Sequence, residues 1–174
     1  QMTIETRGPR ALDYQPVRYG ASRLAFRGPK RALDGDFVAV LGGSETYAKF
    51  VPAPFPDLVE AKLGLPVVNF GCLNAGVDAF AFDPAMLEVA NAAQAVVLQV
   101  LGAQNMSNRL YTVHPRRNDR FLDASALLKA VYAEADFTEF AFTRHMLTTL
   151  HEIDPVRFET LRGALKETWT ARMR

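Results

Sequence analysis

Three short polar segments hold the residues best able to do chemistry in this sequence. They are Gly42-Gly43-Ser44, the stretch from Gly71 to Gly76, and Gly102-Ala103-Gln104-Asn105. Together they supply a hydroxyl, carboxamides and backbone N–H groups, which are the parts of a serine nucleophile and its oxyanion hole. If Ser44 begins a helix, the helix dipole favours the negative charge that develops beside it. Each segment taken alone also fits a simple turn, with the serine as an N-cap.

Each polar segment follows an apolar run that predicts a buried parallel strand. Helical patterns lie between these runs, the clearest from Asp57 to Leu63 and from Pro84 to about Ala93. This alternation predicts an α/β fold with a parallel sheet between two layers of helices, a three-layer α/β/α arrangement of the flavodoxin-like kind. Ligands bind such sheets beyond the carboxyl ends of the strands, so the three segments are expected to form one site. The predicted strands are Phe37 to Leu41, Leu65 to Phe70 and Ala95 to Leu101.

The chain divides into three predicted regions. Residues 1–34 lack periodicity and predict an arm of loops, residues 35–122 carry the α/β core with the candidate site, and residues 123–174 are predicted to be helices packed on that core. No strand is predicted after Leu101. Three strands make a narrow sheet, so the native chain is expected to continue past Arg174 with a further strand. The predicted helices of the last region run from Asp123 to Ala133, from Phe137 to Leu150, and from Asp154 onward.

The last predicted helix has one apolar face. Asp154 fits an N-cap and Pro155 fits the first helical position. An apolar stripe at helical spacing indicates packing on the core or an interface with a protein partner. The residues of this stripe are Phe158, Leu161, Leu165 and Trp169.

Composition narrows the classes of function. The 174 residues include 20 Lys and Arg against 19 Asp and Glu, so overall charge gives no argument for a nucleic-acid partner. No apolar run is long enough to span a membrane. The single cysteine, Cys72, cannot form an internal disulfide, which favours a reducing, cytoplasmic location and a buried inert thiol. Nucleotide-binding glycine motifs and metal-ligand spacings are absent, so no cofactor and no metal are predicted.

A second candidate lies in the segment from Asn108 to Phe121. It concentrates basic side chains that suit a phosphate, sulfate or carboxylate beside the Ser44 turn. The alternative is a solvated loop whose arginines pair with nearby acids such as Asp119 and Asp123. The basic residues are Arg109, His114, Arg116, Arg117 and Arg120.

Residues 37–76 and 96–105 resemble the start of the SGNH, or GDSL-type, hydrolase superfamily. The family's first block is a strand followed by Gly-Asp-Ser, and Gly42-Gly43-Ser44 stands in that place. Its second block is an Asn-x-Gly turn leading to a further glycine, which resembles Asn69-Phe70-Gly71 through Gly76. Its third block, Gly-x-Asn-Asp, resembles Gly102-Ala103-Gln104-Asn105. The chain as a whole also resembles a group of uncharacterised bacterial proteins.

The resemblance implies roles for single residues. Ser44 would be the nucleophile, and its own N–H would help to hold the oxyanion. The second-block donor falls on Asn74 in an ungapped alignment and on Gly76 with an insertion, and the carboxamide falls on Gln104 or on its neighbour Asn105. Gly43 replaces the family's aspartate, and Gln104 replaces its asparagine by strict spacing.

The catalytic base is the largest departure from the family. The family's Asp-x-x-His tetrad is absent from this sequence. A base must therefore come from one of the three histidines, of which His114 is favoured because it follows the third strand, or from residues beyond Arg174.

Two functions follow from the sequence. The first is a serine hydrolase or acyltransferase that acts on an ester or acyl group of a small-molecule substrate, including an anionic one or a carbohydrate. In it, Ser44 attacks while Gly76, Gln104 or Asn105 stabilises the oxyanion, and Asn74, Arg109, Arg116 and Arg117 bind the ligand. The second is a catalytically inactive relative that binds an anion or carbohydrate or serves as an assembly subunit.

Overall fold

A computed structural model describes residues 15–174; residues 1–14 of the predicted arm lie outside this range. The described residues form an α/β structure, as predicted. Its strands are β1 (Val38–Gly42), β2 (Val67–Gly71), β3 (Ala95–Leu98), β4 (Tyr111–Val113) and β5 (Phe121–Ala124). Its α-helices are α1 (Ser44–Tyr47), α2 (Phe55–Leu63), α3 (Val77–Ala81), α4 (Pro84–Ala92), α5 (Ala126–Val131), α6 (Thr143–Ile153) and α7 (Pro155–Met173).

The first three strands form a parallel sheet in the order β2-β1-β3. β1 is central, with Val38 opposite Val67 on one side and opposite Ala95 on the other. All five residues of β1 are buried, whereas all four of β3 are exposed at the edge of the sheet. The parallel sheet predicted from the apolar runs is confirmed.

Two hydrophobic cores hold the structure together. The first packs one face of the sheet against the N-terminal arm, α3, α4 and the end of α7, with Phe26 and Phe70 in edge-to-face contact at 5.5 Å. The second joins the β4–β5 hairpin to α5, α6 and α7. On the opposite face of the sheet, Val38 and Val40 pack against Val59 of α2. Helices therefore contact both faces of the sheet.

The apolar face predicted on the last helix is buried within the chain itself. Asp154 caps α7 by accepting hydrogen bonds from the N–H groups of Val156 and Arg157, and Pro155 is its first residue, as predicted. Leu161 and Leu165 lie in the second core, while Trp169 packs on the first core and donates a hydrogen bond from Nε1 to Leu101 O at 2.8 Å. The prediction of a protein partner at this face is therefore not supported. None of the helices among residues 15–174 has the length and hydropathy needed to cross a membrane.

Two predictions for the second half of the chain are wrong. β4 and β5 form an antiparallel hairpin where no strand was predicted. Strands of three and four residues are too short to show a clear alternating pattern. The helix predicted from Phe137 to Leu150 is broken into a 3₁₀ turn, Phe137–Glu139, and α6, because Ala141 O accepts from Phe121 N and holds the chain extended against β5.

A buried ion pair fixes α7 to α3. Asp78 of α3 is 4% exposed; its carboxylate contacts the guanidinium of Arg172 and accepts a hydrogen bond from Ser107 N at 2.8 Å. Arg172 also stacks on the ring of Phe82 at 4.7 Å. A buried carboxylate loses its hydration, so its stability in the fold depends on these partners.

We expect Arg172→Ala to lower the free energy of unfolding by about 3 kcal/mol, because it leaves the Asp78 carboxylate buried without its cation. Urea denaturation would measure the change. Arg109→Ala is the matched control: Arg109 pairs with Glu167 at 3.9 Å with both side chains exposed, so its loss should cost less than about 1 kcal/mol. Equal effects of the two substitutions would contradict this account of the ion pair.

Candidate functional site

Ser44 is the first residue of α1, directly after β1, as the sequence predicts. The carboxamide of Gln99 holds the turn: its Oε1 accepts from Gly43 N at 3.0 Å and from Thr46 Oγ1 at 2.7 Å. Its Nε2 donates to Glu45 Oε2 at 2.8 Å, and this hydrogen bond lowers the pKa of Glu45. Gln99 is the first residue after β3, so the end of the third strand helps to position Ser44. The sequence analysis did not select Gln99 as a site residue.

The opposite end of α1 is held by the N-terminal arm. Arg27 is buried, and its guanidinium donates hydrogen bonds to carbonyl oxygens at and beyond the end of the helix. A cation is favourable there because the last carbonyls of a helix have no backbone partners. The acceptors are the carbonyls of Tyr47, Ala48, Val51 and Pro52.

The second polar segment contacts Ser44 through Asn74. The Asn74 N–H donates to Ser44 Oγ at 2.9 Å, and Asn74 has a φ of +59°, the left-handed conformation that favours glycine or asparagine. Gly76 does not play its predicted part, because its N–H donates to Asn118 Oδ1 at 2.7 Å. Of the two alignments left open by the sequence, the geometry therefore favours Asn74 as the backbone donor beside the serine.

The third polar segment does not bring its side chains to Ser44. Asn105 Oδ1 accepts a hydrogen bond from Thr143 Oγ1 at 2.6 Å, and Gln104 is exposed, with its side chain folded back over Gly102. Both residues line a separate open cleft of about 900 Å³, referred to below as the second cleft. Among the described residues, neither carboxamide hydrogen-bonds to Ser44, and the oxyanion role of Gln104 or Asn105 stays a prediction. The carboxamide at the serine turn is that of Gln99.

The hydrogen bonds of His114 leave its neutral ring without the free acceptor nitrogen that a general base needs. Its Nδ1 accepts hydrogen bonds from the N–H groups of Arg116 and Arg117 at 3.2 and 3.1 Å. The proton of the neutral ring is then on Nε2, which can donate a hydrogen bond but cannot accept one. The other histidines pack against phenylalanine rings, His145 on Phe140 and His151 on Phe158. Within residues 15–174, no histidine hydrogen-bonds to Ser44.

His114 instead lines a cleft of about 720 Å³ with a strongly basic wall, here called the arginine pocket. Its floor includes Cys72 and Asn74 of the second polar segment, which places the pocket next to the Ser44 turn. Across residues 15–174, none of its five guanidinium groups forms an ion pair with a carboxylate. The five are Arg18, Arg23, Arg116, Arg117 and Arg120.

The two sequence interpretations of the basic segment can now be compared. Asp123, proposed as a partner for these arginines, pairs instead with Lys129 at 3.2 Å. Arg109 lies apart from the pocket, on Glu167, so it does not share a ligand with the others. Arg18 and Arg23 come from the N-terminal arm, and no local pattern in the sequence linked them to the loop after β4.

The loop that carries the arginines is fastened to the second polar segment by Asn118. This side chain is fully buried; its Oδ1 accepts from the N–H groups of Gly76 and Ala79 at 2.7 and 3.0 Å. Its Nδ2 donates to His114 O at 2.9 Å, and its backbone N–H donates to Asn74 O at 3.0 Å. Four hydrogen bonds from one residue thus hold the arginine pocket beside the Ser44 turn.

The Cys72 thiol and the placement of metal-ligand side chains both bear on the chemistry of this arrangement. Burial raises the pKa of the Cys72 thiol to about 11, so at neutral pH the sulfur is a thiol and a poor nucleophile. In the part of the chain that the structure describes, no three His, Cys, Asp or Glu side chains come together as a potential metal site.

The sheet order and the strand-end loops define an α/β domain with its candidate site at the carboxyl edge of β1 and β2. Residues 2–174 match the family described as a domain of unknown function, DUF6473, and the chain belongs to this family. No curated protein and no solved structure gives a significant match to the chain.

We expect Asn118→Ala to destabilise the protein by about 3 kcal/mol, because two N–H groups and one carbonyl lose their partner in a buried environment. Urea denaturation would measure this, and amide hydrogen exchange should show faster exchange at Gly76 and Ala79. Asn91→Ala, at an exposed position on α4, is the control. It should change neither the free energy of unfolding nor the exchange rates of the Gly76 and Ala79 amides. Unchanged exchange at both amides would show that Asn118 does not hold the two loops together.

Proposed function

We propose that this chain binds an anionic group in the arginine pocket, on an SGNH-like α/β core that places Ser44 next to it. The observation that carries the proposal is that five arginines line one cleft and none of them pairs with a carboxylate within residues 15–174. His114 Nε2–H adds a further donor, and Asp119 is the one carboxylate in the lining. A cytoplasmic location accords with the single buried cysteine.

The charge of the pocket contrasts with that of the whole chain. The formal net charge of all 174 residues is only +1, so the positive charge of the pocket is a local feature and not a consequence of a basic protein. Arginines that repel one another in a cleft are favourable when an anion binds between them, and the planar guanidinium donates two parallel hydrogen bonds to phosphate, sulfate or carboxylate oxygens. An oxyanion is thus the ligand chemistry that this lining suits.

Titration calorimetry with inorganic phosphate and with sulfate tests this proposal. We expect measurable binding that weakens as KCl is raised, because the interaction is electrostatic. Arg116→Ala and Arg117→Ala should each reduce affinity by about tenfold, the loss expected for a charge-assisted hydrogen bond. Arg109→Ala removes the same charge outside the pocket and should leave affinity within about twofold. Wild-type protein that binds neither anion would overturn the proposal.

A second candidate, a serine hydrolase or acyltransferase, is favoured by the contact between Asn74 N–H and Ser44 Oγ. In this reaction Ser44 Oγ would attack an acyl carbon, and the carbonyl oxygen would gain negative charge near the N–H groups of Ser44 and Asn74. The anionic part of the substrate would lie in the arginine pocket. The serine proton must pass to a base, and the His114 tautomer described above lacks the free acceptor that this step requires.

A fluorophosphonate probe followed by peptide mapping tests the second candidate. If the serine is activated, the probe should label Ser44 in the wild type and fail to label Ser44→Ala. Ser125→Ala, which alters the N-cap of α5 far from the site, should be labelled like the wild type. Absence of label on Ser44 in the wild type, together with anion binding, would leave the binding function and exclude the hydrolase.

A further inference from the structure

The arginine pocket and the second cleft meet at two shared residues, Asp119 and Phe142. Both side chains line both clefts, which have volumes of about 720 and 900 Å³. A ligand held in the arginine pocket by one end would therefore reach the second cleft by passing these two residues. The combined surface is longer than an isolated phosphate or sulfate ion needs.

The second cleft has a different chemistry from the arginine pocket. Its lining offers carboxamides, hydroxyls and an imidazole, with one further arginine. Such groups both donate and accept hydrogen bonds, which matches a ligand portion rich in hydroxyl groups. The polar residues of this lining are Gln104, Asn105, Thr143, Arg144, His145 and Thr148.

Phe142 presents an aromatic ring between the two clefts. The side chain is 45% exposed, and Arg120 lies over its ring at 5.5 Å. Its backbone is fixed, because residue 142 bridges to Arg120 and precedes the first turn of α6. An aromatic ring in a polar cleft provides an apolar surface on which the C–H face of a sugar ring can pack.

Asp119 supplies an acceptor at the same place. Within residues 15–174, its Oδ1 is the buried side-chain oxygen or nitrogen that has no hydrogen-bond partner. Its position is fixed, since its backbone carbonyl accepts from Thr143 N at 3.0 Å. Asp119 as a whole is partly exposed and lines both clefts, so the other oxygen of its carboxylate, Oδ2, can accept a hydrogen bond from a ligand.

We infer that the ligand is a saccharide carrying a phosphate or sulfate group. This inference rests on the proposed anion binding and adds the identity of the rest of the ligand. The charged group lies among the guanidiniums of the arginine pocket, the sugar ring packs on Phe142, and a sugar hydroxyl donates a hydrogen bond to the Asp119 carboxylate. Further hydroxyls extend into the second cleft.

The test compares ligands that share the anion and differ in the remainder. Calorimetry would use a panel of hexose 1- and 6-phosphates and hexose 6-sulfates, with inorganic phosphate, sulfate, glycerol 3-phosphate and the neutral hexoses as references. At least one hexose phosphate or sulfate should bind about tenfold more tightly than inorganic phosphate and glycerol 3-phosphate, as one added hydrogen bond or ring contact predicts. The sugar phosphates and the sugar sulfates are compared as two separate sets of ligands. The set that binds more tightly identifies the charged group.

Two substitutions separate the sugar contacts from the anion contacts. Phe142→Leu and Asp119→Asn should each lower the affinity for the tightest hexose ligand, relative to the affinity for inorganic phosphate, about fivefold to tenfold. Phe50→Leu and Asp123→Asn change an exposed phenylalanine and an exposed aspartate outside both clefts and should have no effect. If no panel member binds more tightly than inorganic phosphate, the saccharide inference fails while anion binding stands. If phosphate and sulfate also fail to bind, the proposed function itself fails.

Discussion

The candidate site depends on the buried carboxamide of Asn118. The hydrogen bonds of Asn118 join the second polar segment to the loop that carries the arginines. The carboxamide replaces hydration for two N–H groups and one carbonyl at once, and a buried group with three partners has little freedom to move. Because the same residue also donates its backbone N–H to Asn74, the residue that contacts Ser44 and the loop that carries the arginines are positioned together.

Two backbone donors near Ser44 are used within the fold. Gly43 N–H and Gly76 N–H both serve carboxamide oxygens, from Gln99 and Asn118, and thereby stabilise the turn. The arginine pocket differs, since within residues 15–174 none of its arginines pairs with a carboxylate. Cations without internal partners suit the binding of a charged ligand better than the activation of a hydroxyl. For this reason we propose anion binding ahead of hydrolysis.

Local patterns predicted the sheet well, because each parallel strand lies in a mostly apolar run and a glycine stands at its end or a few residues beyond. The Asp154–Pro155 start of α7 was predictable for the same reason, since an N-cap signal involves neighbouring residues. The site was harder to predict. Arg18 and Arg23 reach the pocket only through the path of the arm, and Asn118 acts on residues about forty positions earlier in the chain. Which of Asn74 and Gly76 donates its N–H beside Ser44 depends on two features that a short motif does not contain. One is the positive φ of Asn74, and the other is the hydrogen bond from Gly76 N–H to the distant Asn118.

The position of α7 has a consequence for how the protein unfolds. This helix contributes Leu161 and Leu165 to one core and Trp169 and Met173 to the other, so neither core is complete without it. If the helix detached, apolar surface of both hydrophobic cores would be exposed at once. The free energy of this exposure couples the unfolding of one core to that of the other. The sheet half and the hairpin half are therefore expected to melt in a single cooperative transition, although each has its own hydrophobic centre.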